Sequence, residues 1–144
     1  ADLPTLPDGF GPVRMCGPGL VAIGGPRHAN GRSQPDPQME ALAQALAQWP
    51  GRETFPLVIV ADDADFCAAN LDNFLWVAFT RSDPATDVYG AHAATRARHW
   101  SCEAPLVIDA RLKPFHAPPL EEELAVIRKV EALAAPGGPL HNYL

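Results

Sequence analysis

The placement of proline and glycine constrains this chain more than any other feature. Sixteen prolines and eleven glycines occur among 144 residues. They are clustered, which separates a loop-rich folded domain from a disordered one. Residues 1–18 carry Pro4, Pro7, Gly9, Gly11, Pro12, Gly17 and Pro18. Proline lacks an amide hydrogen and fixes φ, so this density predicts an extended lead-in with neither helix nor central strand. Between the later clusters there is room for regular elements. Leu20-Val21-Ala22-Ile23, bounded by glycines, reads as a buried strand. Residues 56–61 form a β-branched run apolar on both faces, as expected inside a covered sheet.

Helices follow from caps and spacing. Asp36 can cap a first helix with Pro37 in its first turn; Met39, Leu42, Ala43, Leu46 and Trp49 repeat at helical spacing, and Pro50-Gly51 stops it. A second helix starts near Asn70 or Leu71 and runs through Phe79. Its apolar residues cover nearly the whole circumference, so most of it is expected to be buried, with Trp76 and Phe79 anchoring it to the sheet. Short strands are expected at 87–90, after the Ser82-Asp83-Pro84 turn, and at 105–109. A last helix opens with Pro118-Pro119 and three glutamates, carries Leu120, Leu124, Ile127, Val130 and Leu133 as its stripe, and ends at Pro136-Gly137-Gly138. Strands alternating with helices predict an α/β fold: one layered domain over 19–136, with a short, mostly buried sheet, about three helices and a tail at 137–144.

Charge and cysteine content narrow the function classes. Eleven basic against seventeen acidic side chains leave a net charge of −6, the wrong sign for a nucleic-acid binder or a protein lying on anionic lipid. No apolar run is long enough for a membrane helix, and no signal peptide is visible. Cys16, Cys67 and Cys102 are odd in number and widely spaced, which reads as reduced thiols packed in a cytoplasmic protein.

Several constellations could carry chemistry. Asp62, Asp63 and Asp65 lie just past a strand, where α/β sheets often place their sites. A receiver-type phosphorylation site fails on spacing, because Asp109 precedes Lys113 by only four residues. A Mg²⁺ site is conceivable from three carboxylates, but short acids capping the loop and the next helix account for them better. Gly17-Pro18-Gly19 precedes its strand and so does not form a dinucleotide loop. His28, His92, His99, His116 and His141 lack metal-ligand spacing and read as isolated loop or surface histidines. Two basic segments, Arg27-His28 with Arg32 and Arg96-Ala97-Arg98-His99-Trp100, could hold a phosphate, a carboxylate or an acidic partner, or be solvated surface.

One block resembles a known family. Leu57-Val-Ile-Val-Ala-Asp62-Asp63-Ala-Asp65, an apolar stretch with Trp76, then Thr80-Arg81-Ser-Asp83-Pro84-Ala-Thr-Asp87-Val88, and later Ile108-Asp109-Ala110 with Lys113, resembles the C-terminal domain of UbiD-type decarboxylases. Ala61, Ala64 and Arg111 depart from that pattern. The resemblance implies structural and interface roles for Asp63, Asp65, Trp76, Arg81 and Asp87. Arg81 is expected to form an ion pair with Asp83, Asp87 or Asp65, while Arg27 and Arg32 belong to a contact loop. It also implies that no catalytic, cofactor-binding or metal-binding residue lies in this chain. Prenylated FMN and a metal ion would sit in a larger UbiD-like catalytic subunit acting on aromatic or α,β-unsaturated acids. The chain would be that enzyme's small subunit or separated C-terminal domain within a homo- or hetero-oligomer. The competing expectation is a stand-alone, self-associating module that binds an anionic ligand or an acidic partner, with the Arg27/Arg32 or the Arg96/Arg98 loop holding the anion.

Overall fold

A computed structural model describes residues 3–28, 35–117 and 123–142. Five strands form one sheet in the order β1-β2-β3-β5-β4. They are β1 (Val13–Gly17), β2 (Leu20–Gly24), β3 (Leu57–Ala61), β4 (Val88–Arg96) and β5 (His99–Asp109); the helices are α1 (Pro37–Ala47), α2 (Ala64–Ala69), α3 (Leu71–Thr80) and α4 (Leu124–Ala134). The α/β class is as expected. β2, β3 and β5 are mutually parallel, with Leu20 opposite Leu57 and Leu57 opposite Leu106, while β1 and β4 close the edges antiparallel.

The period-two alternation of the central strands divides the core. Val21, Ile23, Val58, Val60 and Val107 face α1, meeting Met39, Leu42, Ala43 and Leu46 together with Trp49 and Tyr89. The alternate residues Ala22, Ile59 and Ala61, with Ala110, face α2 and α3 through Ala64, Cys67, Phe74, Val77 and Ala78. Small side chains on this second face let two short helices lie close to the sheet. Each of these helix starts is chemically specified. Asp36 accepts from Gln38 N (2.9 Å), Asp63 from Phe66 N (2.9 Å) and Asn70 from Asn73 N (2.8 Å), satisfying amides the first turn leaves open.

Three expectations are corrected and one is refined. The lead-in holds no central strand, but its residues 13–17 pair at the sheet edge as β1. This is an edge strand, where flanking prolines remove no ladder bond, and Pro18-Gly19 turns it into β2 with Gly19 at φ +75°. The short strands expected at 87–90 and 105–109 extend into a long ribbon, β4–β5, turned by Ala97 and Arg98, both at positive φ. α3 is not buried all round. Phe74, Val77 and Ala78 meet the sheet, whereas Trp76 is 52 % and Phe79 75 % exposed, so neither anchors the helix. The last helix contributes no buried residue to the core; its expected opening at 118–122 lies outside the described residues. Among the described residues, no helix is long and apolar enough to cross a membrane.

Candidate functional site

The carboxyl ends of β2, β3 and β5 lie side by side, the region where open α/β sheets place their sites. Here that end is filled by ion pairs. Arg111, two residues beyond β5, has no exposed surface. Its Nε donates to Asp109 Oδ1 (2.8 Å) and its Nη2 to Asp109 Oδ2 (2.8 Å) and Asp36 Oδ2 (2.6 Å), while Nη1 donates to Pro26 O (3.0 Å). Lys113, also buried, uses its ammonium on Asp87 Oδ2 (3.0 Å), Asp109 O (2.6 Å) and Arg81 O (3.0 Å). Those three partners match its three N–H donors.

The network joins the segments that follow β2, β3 and β5 to the turn that precedes β4. Pro26 belongs to the loop after β2, and Asp36 is the cap of α1. Arg81 and Asp87 bracket the turn between α3 and β4, and Asp83 N donates to Asp87 Oδ2 (2.7 Å). Asp62, after β3, accepts from Leu112 N (2.7 Å) and pairs with Arg81 Nη1 (3.3 Å). Burial pushes Asp109 up, but hydrogen bonds from Arg111 and the charges of Lys113 and Arg111 outweigh it, holding its carboxyl below the usual range. Burial likewise opposes the charge of Arg111, and Asp109 and Asp36 overcome it.

These placements agree with the capping reading of the acidic turn and add ion pairs to it. Asp63 caps α2, Asp65 pairs with Arg14 (2.6 Å) and Asp62 with Arg81, so the three aspartates serve separate structural contacts. The expected partners of Arg81 are wrong: Asp65 is taken by Arg14 and Asp87 by Lys113. Arg81 instead lies 5.2 Å from the centroid of the Trp76 ring and pairs with Asp62. The central pair, Arg111 and Lys113, is missed by sequence reasoning. The available signal is the alternation Asp109-x-Arg111-x-Lys113 directly after an apolar strand, where the chain is still inside the protein.

His28 is not a surface histidine. Its side chain is buried, Nε2 lies 4.0 Å from Asp36 Oδ2, and Nδ1 has no hydrogen-bond partner among the described residues. His28, Asp36 and Asp109 offer ligand atoms within 4.8 Å of one another. A metal ion nevertheless does not fit. Both Asp109 oxygens and Asp36 Oδ2 already accept from Arg111, and Asp36 Oδ1 caps α1. A divalent cation would have to displace a guanidinium from each carboxylate.

Of the thiols, Cys67 is buried in the core and Cys16 packs against it, while Cys102 is half-buried. Burial, followed by the charges of Cys16 and Asp63, pushes the Cys67 thiol up to about 11, away from nucleophilic use. Arg27 is exposed, Arg32 lies outside the described residues, and Arg96, Arg98 and His99 sit exposed at the ribbon tip. An open cleft of about 950 Å³ lies between α1 and the ribbon, lined by Glu40, Gln44, Gln48, Tyr89, His92 and Trp100 among others. No Lys or Arg lines it among the described residues.

No family model matches the chain. Among curated proteins, it is similar to a subunit of the 4-hydroxybenzoate decarboxylase of Chlamydia pneumoniae, 31 % identical over 87 residues, which is 60 % of this chain and 15 % of the relative. A Chlamydia trachomatis protein of uncharacterized function is 31 % identical over 81 residues, 56 % of this chain and 14 % of that one. Among solved structures, the vanillic acid decarboxylase of Sedimentibacter hydroxybenzoicus in an open form matches with a TM-score of 0.44 and 21 % identity, covering 78 % of this chain and 25 % of that one. The chain thus spans about 15 % of the length of the curated relatives it matches.

Proposed function

We propose that this chain is a non-catalytic small subunit, or the separated C-terminal domain, of a UbiD-like prenylated-flavin-dependent carboxylase or decarboxylase acting on aromatic or α,β-unsaturated acids. The observation that carries this reading is the similarity to a 4-hydroxybenzoate decarboxylase subunit, together with the Asp-rich turn and Thr-Arg-x-x-Pro-x-x-Asp block spanning residues 57–88. The site geometry supports it. Arg111, Lys113, Asp87 and Asp109 bond to one another and to the loops, and serve to hold the carboxyl end of the sheet rigid. In this reading the flavin and its metal ion are held by a larger partner chain in the cytoplasm, and the present chain covers that chain's pocket and excludes water when closed.

The test is to co-express the chain with a UbiD-like catalytic chain and its prenylated flavin. The outcome expected is co-elution and faster CO₂ release from 4-hydroxybenzoate than the larger chain achieves alone. Absence of co-elution with unchanged turnover overturns the reading, as does flavin-dependent CO₂ release by the present chain alone.

A further inference from the structure

Helix α3 presents a second apolar surface. Leu71, Leu75 and Phe79 recur every four residues on its outer side, and Trp76 flanks them. Phe66 of α2 meets Trp76 edge to face, with ring centroids 6.3 Å apart, and extends the patch onto the neighbouring helix. All five are exposed large hydrophobics. A contiguous patch of this kind, holding two phenylalanines and a tryptophan, has the composition of an interface centre. Arg81, lying against Trp76 and paired with Asp62, holds that ring in place before any partner arrives.

The surroundings of the patch indicate what covers it. Asp72 lies on the same side of α3, and Asp62, Asp63, Asp65 and Asp83 are exposed at its ends and along α2. The nearby cations, Arg14 and Arg81, pair with Asp65 and Asp62, so that the rim keeps the negative charge of Asp63, Asp72 and Asp83. Two copies meeting face to face through this surface would set each acidic rim against its own image, and like charges across an interface cost several kcal/mol. Self-association is therefore disfavoured here.

We infer that the outer face of α3, with Phe66, is the docking surface for a different protein chain, one presenting an apolar patch fringed by Lys and Arg. Phe79 and Trp76 are its central anchors and the aspartates its rim. This rests on the reading above and specifies which face meets the larger decarboxylase chain.

Two measurements separate this inference from that reading. In the co-expressed complex, Phe79→Ser should weaken association roughly thirtyfold, as loss of a hot-spot aromatic does. An Arg96→Ser/Arg98→Ser chain should bind as the unsubstituted one does. If the complex forms and Phe79→Ser leaves its Kd unchanged, the docking face is wrong while the functional reading stands. If no complex forms, the functional reading falls, and the face is judged on the isolated Trp100→Phe chain. Its emission, from buried Trp49 and exposed Trp76, should shift to the blue on titration with an amphipathic Leu/Lys helical peptide and not with a Leu/Glu one, and Phe79→Ser should abolish the shift. An equal response to both peptides, or a dimer dispersed by Phe79→Ser, overturns the inference, the dimer by seating a second copy on this face.

Discussion

Replacing Arg111 with Met tests the buried network most severely. Methionine keeps much of the aliphatic volume, so the change removes charge and hydrogen bonds more than packing. It deletes two side-chain bonds to Asp109, one to Asp36 and one to Pro26 O. Asp109 then stays buried with Lys113 Nζ 3.9 Å from its carboxylate as its nearest cation. Removing one partner of a buried ion pair costs about 3–5 kcal/mol. At roughly 3 °C of Tm per kcal/mol for a chain of this size, Tm should fall about 9–15 °C. The deficit should depend on pH with a defined sign. Arg111 helps hold Asp109 below its ordinary value of 3.8, so the stability it provides is present above that value and is lost as pH falls through the folded pKa. The variant's deficit should therefore be full at pH 7 and shrink below about pH 4. The double variant Arg111→Met/Asp109→Leu should recover much of the loss, because no isolated charge remains buried. Urea denaturation from pH 3 to 7 measures all of this. A loss under about 1 kcal/mol at pH 7, or a deficit independent of pH, would refute the reasoning.

Other expectations concern the two sides of α3, its neighbours and the acid side of neutrality. Phe74→Ala should cost about 3–5 kcal/mol, whereas Phe79→Ser, on the exposed side, should change stability by about 0.5 kcal/mol or less; chemical denaturation of both distinguishes the faces. Asp63→Ala, which removes the cap of α2, should cost about 1 kcal/mol, read as a shift in urea midpoint at constant slope. Cys67, buried and pushed up to about 11, should be the last thiol alkylated by iodoacetamide at pH 8, a sequence that peptide mapping resolves. Burial, then the Lys113 charge, holds His116 below the ordinary histidine value, and its Nδ1 accepts from Lys113 N (3.2 Å). The unfolded chain therefore binds the proton first, so this group's contribution to stability should decline as pH falls below about 6.5. NMR titration of the imidazole checks it.

The elements that can be read from sequence are those whose signals are local. β2 and β3 follow from short β-branched runs between glycines and prolines, and α1 from Asp36, Pro37 and its apolar spacing. The interpretation of Asp63 as a helix cap also holds. β1 is hidden because proline density argues against central strands, while edge strands tolerate it. The ribbon extends past residue 90 through exposed positions such as His92, Thr95 and Trp100, which carry no buried-strand pattern. The buried charges are legible only in three dimensions: Asp36 and Arg111 are 75 residues apart, and Asp87 meets Lys113 across the β4–β5 ribbon. α3 is the most instructive case. Apolarity around its whole circumference predicts burial within one domain, yet the sheet covers only Phe74, Val77 and Ala78. The remaining apolar side is the surface assigned above to another chain.

The central claim, a subunit whose function lies in docking and not in chemistry of its own, is tested most directly by titrating the purified chain into a larger prenylated-flavin decarboxylase chain while following CO₂ release. The account predicts a saturable rise in rate with no release from the present chain alone; a rate unaffected by any amount of added chain would contradict it.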